Sequence, residues 1–298
     1  MLQFDKLMLS VDRKHINLIN PHIYEQRVKE GIIIQQVYEQ TDPCYLYLKI
    51  KDKKVIIKFS GKLTGSESYK LISQKTINNY LDKVKEIAGV EFTNAKIIQH
   101  ADVCSCDLTV DCSGATINSL KEEARRGIKN AKWEIKQHKT SYELIKKVTT
   151  KRNRQRIIVY DKEKEMNRAE NRSFIAYAGE GIVEHFKNTI RFELNIYTMQ
   201  QIRDLLNIDD NKLHNVLNST ANPISDVYDQ ILAKPTPRPT NISPYKQFQI
   251  TKILAHYDNN LSLIEHDIRQ AIGRSPRPKI MNEYREVLKH LQYHQNNR

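Results

Sequence analysis

The chain is poor in several things at once. It has four cysteines, nine glycines and one tryptophan in 298 residues. Four cysteines in a chain of this length do not make a disulfide scaffold, which points to a reducing compartment and the cytoplasm as the expected location. No stretch approaches the roughly 20 apolar residues that a spanning helix needs. The opening MLQFDKLMLSVDRKH has neither the apolar core nor the cleavage site of a signal peptide. A membrane is therefore not an expected partner. No G-x-x-x-x-G-K-[ST] is present, so the chain has no P-loop of its own. No internal repeat and no His-x-His occur either, and the second absence argues against a metal centre built on such a histidine pair.

What the chain does have is positive charge. Lys and Arg number 48 against 35 Asp and Glu, a formal net charge of +13. Such a balance signals a polyanionic partner, and with the membrane set aside that partner is nucleic acid. The charge is uneven. Lys121 to Arg156 holds 13 Lys or Arg against four acids, a net of +9. Within it Arg125, Lys129, Lys132 and Lys136 fall at i, i+4, i+7 and i+11, one stripe if the segment is helical. A solvated helix face explains such a stripe; so does a face that tracks phosphates, extended by Arg152 and Arg154.

Strand and helix patterns interleave through about residue 200. CYLYLKI and KVIIKFS flank the polar turn Lys51 to Lys54 and read as a strand pair. Ile77, Leu81, Val84 and Ile87 predict a helix from Thr76 to Ala88, stopped by Gly89. Lys96 to Asp111 alternates like a strand or strand pair. A long helix is expected from Ser119, with a Ser119–Glu122 capping box and a core stripe of Leu120, Ala124, Ile128, Ala131 and Ile135. Strands follow at Arg156–Asp161 and Thr189–Tyr197, and Thr198 caps a further helix. The fold class expected is α/β in the α+β sense, a mixed or largely antiparallel sheet covered by helices. AKPTPRPTNISPY places four of the nine prolines between Ala233 and Tyr245. The expected division is a domain over 1–233, a proline-rich linker over 234–245 and a small basic helical region over 246–298.

Period two makes the chemistry legible. In CDLTVD it puts Asp107, Thr109 and Asp111 on one face of a strand and Cys106, Leu108 and Val110 on the other. In RIIVYDK, Tyr160 shares a face with Ile158 and Lys162. In RFELN, Arg191, Glu193 and Asn195 face away from Phe192 and Leu194. If these strands are neighbours, carboxylates meet a tyrosine and a lysine. Salt bridges across a half-solvated sheet would account for that set. So would attack by a tyrosine oxygen on a phosphodiester, with a nearby lysine favouring the phenolate and hard oxygen ligands holding Mg²⁺ or Mn²⁺. Tyr197 and Tyr177 are the other candidate nucleophiles. His100, with Asp102, is a candidate nitrogen ligand, although both fall on the face opposite Asp107. Cys104, Cys106 and Cys112 lack the spacing of a zinc site and read as core cysteines.

The stretch VIIKFSGKL with a helix after it, then CDLTVD, VYDKEKE and RFELNI in that order, resembles the replication initiators of filamentous phages. These gene-two type nicking proteins are similar to the Rep_trans initiators of rolling-circle plasmids. The likeness runs from about Lys49 to Tyr197. It implies a nickase that cuts and rejoins one strand at a replication origin through a covalent phosphotyrosine. Tyr160 is then the nucleophile, Asp107 and Glu193 are metal ligands with Asp111 as an accessory, and Lys162 assists charge balance. Origin DNA would be single-stranded at the nick and double-stranded around it, unwinding would fall to a separate helicase, and a homodimer is compatible with the reading. A conjugative relaxase, a non-catalytic copy-number repressor and an RNA-binding protein remain the alternatives.

Overall fold

The computed structural model describes residues 2–128, 132–148, 150, 154–232 and 242–295. The chain divides into two compact units, Met1–Leu232 and Ala233–Arg298. Most of the proline-rich stretch expected as a linker, 233–241, lies outside the described residues, and so do Lys129 and Arg152.

The strands in chain order are β1 (Phe4–Asp12), β2 (Asn17–Leu18), β3 (Glu25–Lys29), β4 (Ile32–Gln40), β5 (Leu46–Lys51), β6 (Lys54–Ser60), β7 (Val90–Glu91), β8 (Asp102–Ser113), β9 (Trp133–Gln137), β10 (Ser141–Lys146), β11 (Arg156–Asp161) and β12 (Thr189–Ile196). The short β2 and β7 pair with each other. The other ten form one sheet in the order β3-β4-β5-β6-β1-β8-β12-β11-β10-β9, antiparallel throughout. The helices of this unit are α1 (Ile77–Ala88), α2 (Asn94–His100), α3 (Ile117–Gly127), α4 (Lys162–Met166), α5 (Arg172–Ala178), α6 (Gly181–His185), α7 (Met199–Leu206), α8 (Leu213–Asn218) and α9 (Pro223–Leu232). This is the mixed architecture expected, a large antiparallel sheet covered by helices.

One face of the sheet carries the main core. Leu7, Leu9, Leu48, Ile57, Leu108, Val159 and Leu194 point into it and meet Leu81 and Val84 of α1, Ile202 of α7 and Val216 of α8. Each such aliphatic side chain, fully buried, contributes about 1.5–3 kcal/mol. Helix α1 follows its apolar spacing, with Ile77, Leu81, Val84 and Ala88 buried, and Gly89 closes it at φ 58° in the left-handed conformation. Glycine is required there twice over, because a Cβ would also stand 2.8 Å from the Cβ of Asn20. A smaller apolar cluster of Met166, Phe174, Ala178, Ile182 and Phe186 gathers α4, α5 and α6.

Three expected elements differ. Lys96 to Asp111 is not strand throughout: α2 takes the first part through His100 and β8 begins at Asp102. The helix expected from Ser119 to Ile135 begins earlier, with Thr116 as its cap and Ser119 as the third residue of the capping box, and it ends at Gly127. Ile135 lies in strand β9. Arg125, on α3, and Lys136, on β9, therefore do not belong to one helical stripe. Lys162 opens helix α4 instead of extending its strand, because Asp161 caps that helix by accepting a hydrogen bond from the Lys164 backbone N–H.

The second unit is helical, with α10 (Pro244–His256), α11 (Leu261–Ile272) and α12 (Pro278–Gln295) packed around Ile250, Leu254, Ile264, Tyr284 and Val287. Among the described residues no helix is long and apolar enough to cross a membrane.

Candidate active site

The site lies on the polar face of the sheet, where β1, β8, β12 and β11 run side by side. Register does the positioning. Asn195 stands opposite Asp107, Glu193 opposite Thr109 and Arg191 opposite Asp111, while on the other side of β12 Ile158 meets Glu193 and Tyr160 meets Arg191. The alternation expected for the three strands thus brings Tyr160, Glu193, Asp107 and Asp111 onto one surface.

At its centre the Tyr160 hydroxyl donates a hydrogen bond of 2.5 Å to Glu193 Oε1. Burial and then the Asp5 charge push the Glu193 carboxyl up to about 7, against the opposing pull of Tyr160, Arg191 and Lys6. Burial, and then the Glu193 charge, hold the Tyr160 phenol well above 10. The resting pair is therefore a neutral phenol donating to a carboxylate once the pH passes about 7.

Asp107 accepts from the Asn195 amide at 2.8 Å and pairs with the Lys6 ammonium at 3.4 Å. Asp111 is held on both oxygens by Arg191, whose Nε and Nη2 donate to it at 2.7 and 2.8 Å. Lys162 is buried and spends its ammonium on Glu165 Oε2 at 2.6 Å, with its Nζ also 5.7 Å from the centre of the Tyr160 ring. The chain continues through the Asn171 amide, which donates to Glu165 Oε1 at 3.1 Å and accepts from Lys62 Nζ at 2.5 Å. Lys162 therefore sits beside the phenol as expected, but its charge is matched by a carboxylate of its own helix.

Sequence reasoning missed Asp5, Lys6, Lys62 and Glu165. Asp5 is the most instructive. The β1–β8 register shifts between Phe4 and Lys6, so Asp5 is an extra residue in a β-bulge. The bulge lets consecutive side chains serve one face: Asp5 Oδ1 pairs with Arg191 at 3.2 Å while Lys6 reaches Asp107. Burial alone would raise the Asp5 carboxyl, yet Arg191, Lys162, Lys6 and Lys62 together hold it below the ordinary range.

Two cavities open on this face. The first, about 440 Å³, includes Asp5, Lys62, Tyr160, Lys162 and Glu165 in its wall; the second, about 500 Å³, includes Lys58, Asp107, Arg156, Asn195 and Tyr197. Lys6, Tyr45, Ile158 and Glu193 line both, so the cavities adjoin at the tyrosine–glutamate pair.

The remaining candidates fall elsewhere. Tyr177 donates to the Leu63 carbonyl at 3.2 Å and lines neither cavity. His100 ends α2, stacked on the His15 ring at 4.9 Å, and Asp102 pairs with Lys212 at 2.8 Å. All four cysteines are free, with Cys106 buried and Cys104 and Cys112 half-buried. Arg125 pairs with Glu122 at 3.1 Å, and Arg154 is exposed with its guanidinium carbon 6.0 Å from the centre of the Tyr197 ring.

Among the described residues no group of three or more His, Cys, Asp or Glu side chains is placed to hold a metal ion. The donor chemistry nevertheless suits a cation. The charges of Asp5, Asp107 and Glu193 all act on the Lys6 ammonium, raising its affinity for its proton against the effect of burial. Lys6 is 45% exposed along its side chain, with Asp107 within ion-pair distance of it.

No protein-family model matches the chain, and no curated protein or solved structure shows significant similarity to it.

Proposed function

We propose that this protein nicks and rejoins one strand of DNA at a replication origin, holding the cut end on Tyr160. The observation that carries the reading is the hydrogen bond from the Tyr160 hydroxyl to Glu193, placed where two cavities meet on a face set with lysines and arginines. A nucleophilic hydroxyl donating to a base held in place by its surroundings is the arrangement that covalent catalysis uses. The polyanionic partner comes from the net charge of +13.

In this mechanism the Tyr160 oxygen forms a bond to phosphorus as its proton passes to Glu193 Oε1, and the bond from phosphorus to the 3′ oxygen breaks. The leaving oxygen takes up a proton, for which the Lys62 ammonium is a donor in the same cavity; burial lowers its hold on that proton. A free 3′ hydroxyl is what a polymerase extends, so the tyrosine keeps the 5′ phosphate. The phosphotyrosine conserves the energy of the broken bond, and the reverse reaction rejoins the strand. Arg191 and Asp111 orient β12 and touch no substrate. Asp107 and Glu193, with Asp5, are the residues that would hold Mg²⁺ or Mn²⁺ in place of Lys6. The ion would polarise the phosphoryl oxygen and offset the carboxylates in the first cavity.

Incubation of the protein with a single-stranded oligonucleotide carrying the origin sequence, with and without Mn²⁺, tests the reading. A protein–DNA adduct that survives SDS is the expected result. Retention of intact DNA with no adduct under either condition would instead make this a DNA-binding protein without nicking activity, such as a repressor.

The Glu193 carboxyl sets an expected pH profile. Without added cation, adduct formation should rise as the pH climbs through about 7, where Glu193 becomes the base; a cation held by Glu193 should move that limb to lower pH, and Glu193→Gln should remove it. The same group acts on stability with the opposite sign. Its carboxyl ionises near 4.5 in the unfolded chain and near 7 in the folded one, so no penalty exists below about 4.5. The penalty grows between those values and is complete above 7, on the order of 3 kcal/mol at 1.36 kcal/mol per pH unit. Urea unfolding at pH 5 and pH 8 checks this, since Glu193→Gln should lose less stability than the wild type between them. Equal losses in the two proteins would show that Glu193 is not titrating in this window.

A further inference from the structure

The second cavity shares Lys6, Asp107 and Glu193 with the chemistry just described, but the rest of its wall has no part in it, and its composition differs from the first. The first is lined by six carboxylates and four cations, whereas the second has two carboxylates, Asp107 and Glu193, against Lys6, Lys58 and Arg156. An incoming polyanion is better matched to the second. Two aromatic rings stand in its wall, Tyr45 and Tyr197. Each has a cation over one face of its ring: Lys58 Nζ lies 5.0 Å from the Tyr45 ring centre, and the Arg154 guanidinium carbon lies 6.0 Å from that of Tyr197. Tyr197 is 40% exposed, and Asn195, beside it, adds an amide. A ring for a base, paired with a cation for the adjoining phosphate, is the means by which single strands are bound without dependence on sequence. A duplex cannot use such a ring, because its bases are already stacked on one another.

Resting on the nicking reading, we propose that the second cavity is a single-strand subsite. Nucleotides next to the scissile phosphate lie in it, with bases stacked on Tyr45 and Tyr197 and their phosphates on Lys58 and Arg154. The shared wall at Lys6, Tyr45, Ile158 and Glu193 then carries the strand from this subsite to Tyr160. Tyr197 is a positioning residue here and takes no part in bond making. Its phenol oxygen lies 3.5 Å from Asn195 Oδ1, too long for a strong hydrogen bond, and also acts on the Arg156 guanidinium, so Tyr197→Phe is the control that separates loss of that oxygen from loss of the ring.

The test uses the full chain and single-stranded oligonucleotides containing 2-aminopurine, whose fluorescence is quenched on stacking. Tyr197→Leu should weaken binding about tenfold and remove the quenching, while Tyr197→Phe should keep both, because a phenyl ring stacks as well as a phenol. Arg154→Gln and Lys58→Gln should weaken binding and flatten its salt dependence. Tyr177→Leu, outside both cavities, should change nothing. At saturating oligonucleotide Tyr197→Leu should still form the covalent adduct. Binding within twofold of the wild type and undiminished quenching in Tyr197→Leu would overturn the subsite, and so would equal affinity for the same sequence as a duplex. The failures are separable. Adduct formation by wild type that Tyr197→Leu leaves untouched at low oligonucleotide would retire the subsite and keep the nickase. Quenching that depends on Tyr197, with no adduct from the wild type, would retire the nickase and keep the subsite.

Discussion

Tyr160→Phe should bind single-stranded DNA like the wild type and form no covalent adduct. The substitution removes one oxygen, the only atom at this position able to attack phosphorus. A neighbouring tyrosine is poorly placed to substitute: Tyr177 lines neither cavity, and Tyr197 lies in the second cavity with no carboxylate accepting from it among the described residues. The fold should feel the change through Glu193. That carboxylate is buried and would lose the hydroxyl that donates to it. An acceptor stranded in this way costs about 1–3 kcal/mol. The loss should be larger at pH 8 than at pH 6, because a protonated Glu193 no longer needs the donor. Peptide mapping of the trapped adduct, with the Phe variants of Tyr160, Tyr177 and Tyr197 side by side, decides the matter. An adduct on Tyr197 that persists in Tyr160→Phe would move the nucleophile and leave the reaction class standing. Normal nicking by all three variants would remove the tyrosine mechanism altogether.

The polar face was readable where the alternation was strong. RIIVYD and RFELNI each hold period two over six residues, so the faces of Tyr160, Glu193 and Arg191 follow from the sequence. That the three strands are neighbours does not follow. It depends on pairings such as Asn195 with Asp107, 88 residues apart in the chain. The first strand, FDKLMLSVD, illustrates a deeper limit. Its bulge breaks the alternation at Asp5 and Lys6, and no glycine or other local signal announces it. The segment after Ser119 failed for another reason. Leu120, Ala124 and Ile128 fit a helix, but Gly127 ends it, and Ile135, which continues the helical spacing by accident, packs from a strand. Charge patterns mislead in the same way. Lys162 reads as a cation free to stabilise a phenolate, whereas Glu165, one helical turn on, takes its charge.

Arg191 should be the least replaceable residue of the sheet. Its side chain is 1% exposed, with Asp111 on two of its nitrogens, Asp5 on the third and the Phe186 ring 5.3 Å from the guanidinium carbon. Arg191→Met keeps the length and removes the charge, leaving two carboxylates without the cation that holds them. Breaking a buried pair from one side costs about 3–5 kcal/mol, a large part of the stability of an ordinary domain. Arg191→Lys keeps the charge but not the planar fork, so it should recover only part of the loss. Asp5 then supplies a second readout. Freed of Arg191, its carboxyl should titrate at higher pH, so the variant should lose less stability on acidification than the wild type does. The chain offers a clean probe, because its single tryptophan, Trp133, is buried on β9 and therefore reports the first unit alone. Urea unfolding followed by its fluorescence should show Arg191→Met shifted by several kcal/mol. A shift under 1 kcal/mol would mean that Asp111 and Asp5 find other partners and that the face does not depend on Arg191. Adding Asp111→Leu to Arg191→Met should restore part of the loss, since removing both partners leaves one stranded charge fewer.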